Sequence, residues 1–198
     1  MTAFARGDAY HTDTDEIVGL MCVERAETGG ESVITSALAL HNDFVAHHPE
    51  LLDALYEGYY QAIAQDEVMT AEKSPVFGYV DGRVSVYCQF RAMALAAQKR
   101  GEEFSDDLKA AIDYFYERAG ANEAEFLLEP GEMLLWNNRT QLHGRRGFEN
   151  SETRKRLLLR LWLKPDNPIR IPPNFAEFTK QRLRHEDNKR FIEGSRAA

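Results

Sequence analysis

Short apolar runs separated by polar turns dominate this chain, and they predict a sheet-rich domain. Residues 17–23 form a nearly continuous apolar run, typical of a strand buried on both faces. Residues 32–35 predict a second short strand. The β-rich runs on either side of Asp81-Gly82 predict a hairpin, because this dipeptide tolerates the positive φ angles of a tight turn. Residues 133–138 and 154–164 predict two further strands, the second ending at Pro165.

Apolar positions recur at helical spacing in three other segments. Ser36 is a good N-cap for a helix that carries Leu40 and Phe44, and Pro49 suits the first turn of the next helix. Ser105 precedes a third amphipathic segment with acidic residues in its first turn, and Gly120 predicts its end. We therefore expect a mainly β domain with helices laid on its outside.

The strand predicted around residue 160 has two unlike faces. Alternation places Arg156, Arg160 and Trp162 on one face, while the opposite face carries only leucines, at 157, 159, 161 and 163. We expect the leucine face to be packed. Two guanidinium groups in a partly enclosed space need anions, because burying them unpaired would cost several kcal/mol. Either acidic side chains or the carboxylate of a bound ligand would satisfy them.

Composition narrows the class of protein. The 198 residues suit a single domain, and 24 Lys and Arg against 32 Asp and Glu give a net charge of −8 without a basic block, which argues against a nucleic-acid partner. No apolar run approaches the roughly 20 residues of a membrane span, so we expect a cytoplasmic protein without a membrane partner. Cys22 and Cys88 lie in apolar runs and are interpreted as small hydrophobic side chains.

Three His-x-Asp triplets raise the question of a metal site. His11 and Asp13 lie at the entrance of a strand, where residues i and i+2 point to the same side. His41 lies in a predicted helix, where such positions diverge by about 200°, and His185 lies in a charged tail. The adjacent His47 and His48 cannot converge on one ion. Only the first triplet suits a metal, although a polar strand end remains its alternative.

His143 is the best candidate for a third ligand. It follows the apolar strand segment, within polar residues and beside Gly144, so we expect it at a strand mouth or in a loop. Two imidazoles and one carboxylate fit non-haem Fe(II), and they also fit zinc. The ligand types alone do not choose between the two metals.

Two longer segments resemble the Fe(II)- and 2-oxoglutarate-dependent oxygenases of the taurine dioxygenase and clavaminate synthase-like group. "YHTDTDEIVGLMCVERAETGGES" resembles the first-ligand strand with its Gly-Gly turn, and "PGEMLLWNNRTQLHGRRGFEN" with "RKRLLLRLWL" resembles the second-ligand and cosubstrate region. The resemblance covers residues 9–164. It implies a double-stranded β-helix, or jelly roll, with helices packed outside.

The resemblance assigns roles to six residues. His11, Asp13 and His143 match the metal ligands, and Arg156 matches the arginine that binds the distal carboxylate of 2-oxoglutarate. Ser32 matches a hydroxyl that assists this carboxylate, with a plain strand-edge serine as its alternative. Arg160 corresponds to a second arginine that meets an anionic substrate or orders the cosubstrate, with a structural ion pair as its alternative.

The implied activity is the hydroxylation of a small molecule, coupled to oxidative decarboxylation of 2-oxoglutarate to succinate and CO₂. Fe(II), 2-oxoglutarate and O₂ are the implied cofactor and cosubstrates. The prime substrate is expected to be anionic or amino-acid-like, with Arg139 and Arg91 as further candidates to meet it, and an oligomer is possible. Two alternatives are a non-catalytic metal-binding or interaction module of the same fold and a zinc-dependent hydrolase.

The expected organisation is a jelly-roll domain over residues 1–165 and a polar C-terminal extension over 166–198, interpreted as a surface helix of the same domain. Members of the group carry a substantial segment before the first metal ligand. Only ten residues precede His11, so we expect the chain to lack part of the N-terminal portion of the fold.

Overall fold

The computed structural model describes residues 8–62 and 69–175. Within these ranges the chain alternates between antiparallel strands and two helical stretches. The strands are β1 (Asp8–His11), β2 (Ile17–Glu24), β3 (Thr28–Gly29), β4 (Ser32–Ser36), β5 (Phe77–Val80), β6 (Arg83–Val86), β7 (Ala124–Phe126), β8 (Met133–Asn137), β9 (Gln141–Arg145), β10 (Phe148–Glu149) and β11 (Leu157–Leu163). The helices are α1 (Ala37–His47), α2 (Pro49–Glu57), α3 (Phe90–Arg100) and α4 (Asp106–Ala121).

Two antiparallel sheets face one another across a cavity. The first has the strand order β1-β9-β4-β7, and the second has the order β11-β2-β8. Side chains of both sheets line the same cavity, for example His143 of the first and Leu158 of the second. Two small ribbons, β10-β3 and β5-β6, complete the described strands. The interior between the sheets is therefore where chemistry can be housed.

The main hydrophobic core lies on the outer side of the four-stranded sheet. Leu142 of β9 belongs to the same buried cluster as Leu40 and Phe44 of α1 and Phe115 of α4. Because side chains alternate along a strand, the next residue, His143, points to the other side, towards the cavity. The helical layer thus fixes which face of β9 is turned inwards.

The three-stranded sheet is buried on its inner face only. Val18, Leu20 and Trp136 form a small inner cluster. Its opposite side, here called the outer leucine face, is formed by Leu135, Leu159, Leu161 and Leu163, whose exposed fractions are 55%, 46%, 39% and 44%. The expectation that the leucines of β11 are packed is wrong, as is the expectation that residues 17–23 are buried on both faces, because no described element covers this side of the sheet.

Local signals in the sequence located most of the elements. Asp81 and Gly82 have φ angles of 51° and 76° in the β5-β6 turn, which confirms the predicted hairpin. The hydroxyls of Ser36 and Ser105 accept hydrogen bonds from the backbone N–H groups of Ala39 and Leu108, as expected of N-caps. The predicted stop at Gly120 is wrong by one residue, since α4 ends at Ala121. Helix α3 was not predicted.

The last described residues pack against the domain. The Phe175 ring is buried beside Tyr87, with 5.5 Å between ring centroids. The surface helix predicted for the C-terminal extension over residues 166–198 is wrong for its first part, since residues 166–172 are not helical and Phe175 is buried. Residues 173–175 are helical, and the rest of the extension lies outside the described residues. Among the helices of the described ranges, none combines the length and the apolar character required to span a bilayer.

Candidate metal centre

Strand pairing brings the two candidate histidine ligands together. In the antiparallel pair of β1 and β9, His11 lies opposite His143, and their ring centroids are 4.2 Å apart. His143 lies within a strand, not at a strand mouth or in a loop as expected, because β9 continues to Arg145 between β1 and β4. The polar residues around it hid this strand in the sequence.

The segment that carries Asp13 is held by the turn between β8 and β9. The backbone N–H of Asp13 donates to Asn138 Oδ1 at 3.0 Å. The Asn138 side-chain amide donates in turn to the carbonyl oxygens of Asp13 and Asp15, both at 2.7 Å. Arg139 donates from Nη2 to the carbonyl of Thr14. The residues following Trp136 therefore fix the direction in which Asp13 points.

His11, Asp13 and His143 converge on one point. One ligand atom of each lies within 4.8 Å of the others, and His143 Nε2 is 3.7 Å from Asp13 Oδ2. Among the described residues this is the only such group of three or more potential ligands. His41 contacts Tyr56, and His47 contacts Asp43, both away from this group. His185 lies outside the described residues.

The electrostatics of His143 suit a metal ligand. The side chain is 4% exposed, and neither ring nitrogen has a hydrogen-bond partner among the described residues. Burial and the neighbouring His11 lower the pKa of His143 to about 3, against the opposing effect of Asp13. The imidazole is therefore neutral near pH 7 and keeps a lone pair for a cation. These residues fit a divalent metal that accepts nitrogen and oxygen ligands.

Arg160 and Trp162 both bind the Asp13 carboxylate. Arg160 Nη1 lies 3.2 Å from each carboxylate oxygen, and Trp162 Nε1 donates to Oδ2 at 3.0 Å. The alternation predicted for β11 is correct here, since both side chains leave the inward face of the strand. In this structure Arg160 is therefore paired with the Asp13 carboxylate.

A cavity of about 410 Å³ lies between the sheets, and His11 and His143 are among its lining residues. Ser32, Arg145, Arg156 and Arg160 line it together with the two histidines. Ser32 is 4% exposed and lies on the same side of the cavity as Gly144 of β9. The volume lies in the ordinary range for small-molecule sites, roughly 300–1,000 Å³.

Arg156 is one of three arginines that line this cavity. Its guanidinium donates from Nη2 to the carbonyl of Gly30 at 3.3 Å, and its carbon Cζ lies 5.3 Å from the Phe148 ring centroid. Burial lowers the pKa of Arg156, and the Arg145 charge lowers it further. Within the ranges 8–62 and 69–175, no carboxylate forms an ion pair with Arg156, in contrast to Arg160.

Sequence reasoning also missed several residues at the site. Arg145 lines the cavity, and its guanidinium lies over Phe148, 4.5 Å from the ring centroid. Asn138 could not be recognised from the sequence, because its side chain binds only backbone groups, which any residue type supplies. Conversely, Arg139 is buried and bound to Thr14, and Arg91 lies on α3 without lining the cavity. The expectation that these two arginines meet the substrate is not supported by their positions.

Comparisons with known proteins show the family to which the chain belongs. Residues 2–162 match the family described as taurine catabolism dioxygenase TauD, TfdA family. The chain is 30% identical over 177 residues to FR-33289 synthase of Streptomyces rubellomurinus, an alignment that covers 84% of this chain and 52% of that protein. It is 24% identical over 196 residues to a taurine hydroxylase-like protein of Stachybotrys chartarum, covering 92% and 49%. The chain thus spans about half the length of these relatives.

Solved structures share the fold. An asparagine oxygenase in complex with Fe(II), 2S,3S-3-hydroxyasparagine and succinate has a TM-score of 0.63 at 17% identity, covering 79% of this chain and 49% of that chain. The non-haem iron oxygenase OrfP with Fe and α-ketoglutaric acid has a TM-score of 0.57 at 16% identity, covering 80% and 49%. These likenesses confirm the expected double-stranded β-helix with flanking helices.

Proposed function

Because the chain belongs to the TauD, TfdA family of dioxygenases, we propose that it acts as an Fe(II)- and 2-oxoglutarate-dependent dioxygenase that hydroxylates a small molecule. One observation carries the proposal. Two histidines and an aspartate converge beside a cavity that both histidines line, and Arg156, without an acidic partner among the described residues, lines the same cavity. A dicarboxylate that chelates a metal at one end and meets a guanidinium at the other fits this arrangement.

Each residue has a stated role in the proposed reaction. His11, Asp13 and His143 hold the metal, and Arg156 binds the distal carboxylate of 2-oxoglutarate, with the Ser32 hydroxyl donating to the same group. Bound Fe(II) supplies the activation of O₂ for oxidative decarboxylation of 2-oxoglutarate to succinate and CO₂, with the second oxygen atom entering a C–H bond of the substrate. The inner cluster of Val18, Leu20 and Trp136 keeps the wall of the site apolar.

Arg156 favours this proposal over the two alternatives. A zinc hydrolase requires the three ligands and a water, and a non-catalytic metal module requires the ligands alone. Neither needs a half-buried arginine whose charge is left without a carboxylate in the part of the chain described. A half-buried guanidinium costs free energy unless an anion meets it, and a cosubstrate carboxylate meets that need.

The proposed prime substrate is anionic or amino-acid-like. The Arg160 side chain lines the cavity and is 43% exposed while it binds Asp13, so its remaining N–H groups are open to a second anion. The asparagine oxygenase structure is a complex with 3-hydroxyasparagine, and one OrfP structure is a complex with L-Arg. A carboxylate on the substrate would be oriented by Arg160 beside the metal, which places the neighbouring C–H bonds towards the reacting centre.

The test uses the protein's absorption spectrum without oxygen. Anaerobic addition of Fe(II) and then 2-oxoglutarate should produce a metal-to-ligand charge-transfer band, which His143→Ala should abolish. Arg156→Ala should weaken 2-oxoglutarate binding by about 10- to 100-fold, because a hydrogen bond to a charged group contributes about 1.5–3 kcal/mol. Fe(II) affinity should change little, since no metal ligand is removed.

Arg154→Ala is the matched control, because Arg154 lies two residues away and is exposed. It should leave both affinities unchanged. A folded wild-type protein that binds Fe(II) without any 2-oxoglutarate-dependent band would contradict the oxygenase proposal and favour a metal-binding module. Equal loss of Fe(II) and 2-oxoglutarate binding in Arg156→Ala would show that this arginine supports the fold only.

A further inference from the structure

The Asp13 carboxylate is oriented by two donors of different kind from the same strand. Arg160 Nη1 is 3.2 Å from both oxygens, and Trp162 Nε1 is 3.0 Å from Oδ2. Residues 160 and 162 share the inward face of β11, since side chains alternate along a strand. The Asp13 side chain is only 8% exposed, so these donors replace water around the carboxylate.

The two donors respond differently to a bound cation. Arg160 carries a positive charge, and a divalent ion on Asp13 would repel it, which weakens this ion pair when the metal is present. The Trp162 indole is neutral, so its N–H can donate to a metal-bound carboxylate without that repulsion. Indole is also a donor only, so it cannot compete with the carboxylate for the metal.

We propose that Trp162 is a positioning residue for the metal: its indole N–H holds the Asp13 carboxylate in the ligating orientation after the cation binds, while Arg160 is released towards an anion in the cavity. This inference rests on the proposed metal site. It assigns to β11 a role at the metal, next to the proposed carboxylate-binding role of Arg156, which directly precedes this strand. Hydrogen bonds to ligating groups commonly contribute about 10- to 100-fold to metal affinity.

Leu161 gives a control variant on the same strand, because it belongs to the outer leucine face and points away from Asp13. Trp162→Phe removes the N–H and keeps an aromatic ring on the strand. Leu161→Ala changes the neighbouring side chain of β11 without touching the proposed metal site. Only the first substitution deletes a donor to a proposed metal ligand.

The measurement is Mn(II) affinity of the metal-free protein, followed by electron paramagnetic resonance without 2-oxoglutarate. Trp162→Phe should weaken Mn(II) binding by about 10- to 100-fold, and Leu161→Ala by no more than about threefold. The d–d spectrum of the Co(II) form should change in Trp162→Phe and be unchanged in Leu161→Ala, which a purely structural effect on β11 would not produce.

Wild-type protein provides a second measurement that needs no folded variant. In nitrogen-15-labelled protein, addition of diamagnetic Zn(II) should leave the Trp162 indole N–H protected from exchange with solvent, at a shifted resonance. An indole N–H that exchanges freely in the Zn(II) form would overturn the inference, as would equal Mn(II) affinity in Trp162→Phe and wild type. Absence of any Mn(II) binding in wild type would instead contradict the proposed metal site itself.

Discussion

At the scale of single residues, burial decides the chemistry of His143. The side chain is almost fully enclosed, and removal from water lowers its pKa to about 3, so that the ring is neutral and able to coordinate a cation. The sequence identified this residue by its place after an apolar strand, but it could not show the burial. That property depends on β1 and β4 lying on either side of β9.

Asn138 illustrates a residue that acts entirely through backbone groups. Asn138→Ala should destabilise the protein by about 2–4 kcal/mol, because it leaves the Asp13 N–H and two carbonyls without their buried partner. Urea unfolding measures this loss. Asn42→Ala, an exposed position on α1, is the control and should change the free energy of unfolding by less than about 0.5 kcal/mol. A similar change in both variants would contradict the role given to Asn138.

At the scale of elements, the small β3-β10 ribbon positions Arg156. Gly30 follows β3 with a φ angle of +86°, and a Cβ atom there would lie 2.9 Å from Arg156 Nε. Phe148 of β10 lies against the same guanidinium. The Gly-Gly turn recognised in the sequence therefore has a physical reason: the backbone must approach the arginine closely.

Gly30→Ala should weaken 2-oxoglutarate binding while metal affinity is retained, because the added methyl group displaces the Arg156 side chain. Calorimetric titration of the metal-loaded protein without oxygen measures this effect. Gly131→Ala is a matched control, since Gly131 also has a positive φ, +91°, but nothing lies within 4 Å of its added Cβ. Both variants should lose about 1–2 kcal/mol of stability from backbone strain. If Gly131→Ala weakened 2-oxoglutarate binding equally, strain alone would explain the result.

The elements that the sequence predicted well have strong local signals. The Asp81-Gly82 turn and the serine N-caps act within a few residues, so their consequences could be worked out without the fold. Helix α3 was missed although it runs from Phe90 to Arg100, because its N-cap residue Gln89 makes no side-chain capping bond and two of its four buried residues are alanines. Strand β9 was missed because polar residues on its cavity side interrupt the usual apolar pattern.

At the scale of the whole molecule, the alternation of apolar residues identified the apolar faces of the strands. It did not show which of these faces are covered by other elements. The leucines of β11 were expected in a core, yet Leu159 is 46% exposed, whereas Leu142 of β9 is fully buried under the helices. Both residues are apolar and lie in strands. The difference depends on where the other layers pack, which is a property of the entire chain.

Leu142→Ala should therefore cost about 2–5 kcal/mol in the free energy of unfolding, because it opens a cavity in the main core. Leu159→Lys should change it by less than about 1 kcal/mol, since the long side chain can reach water from the outer leucine face. Urea unfolding at low protein concentration measures both changes. A large loss in Leu159→Lys would mean that this face is covered in solution.

The pairing of His11 with His143 has a consequence for folding. The segments of the proposed metal centre lie far apart in sequence, since Asp13 is held by Asn138, which lies 125 positions further along the chain. A bound ion would act as a removable crosslink between the two ends of a long loop. The chain must first close this loop, at a cost in conformational entropy, before the ligands are close enough to bind the ion. Metal should thus bind the folded domain and not its partly folded precursors. A metal concentration one hundred times the dissociation constant would then add about 2.7 kcal/mol to the free energy of unfolding.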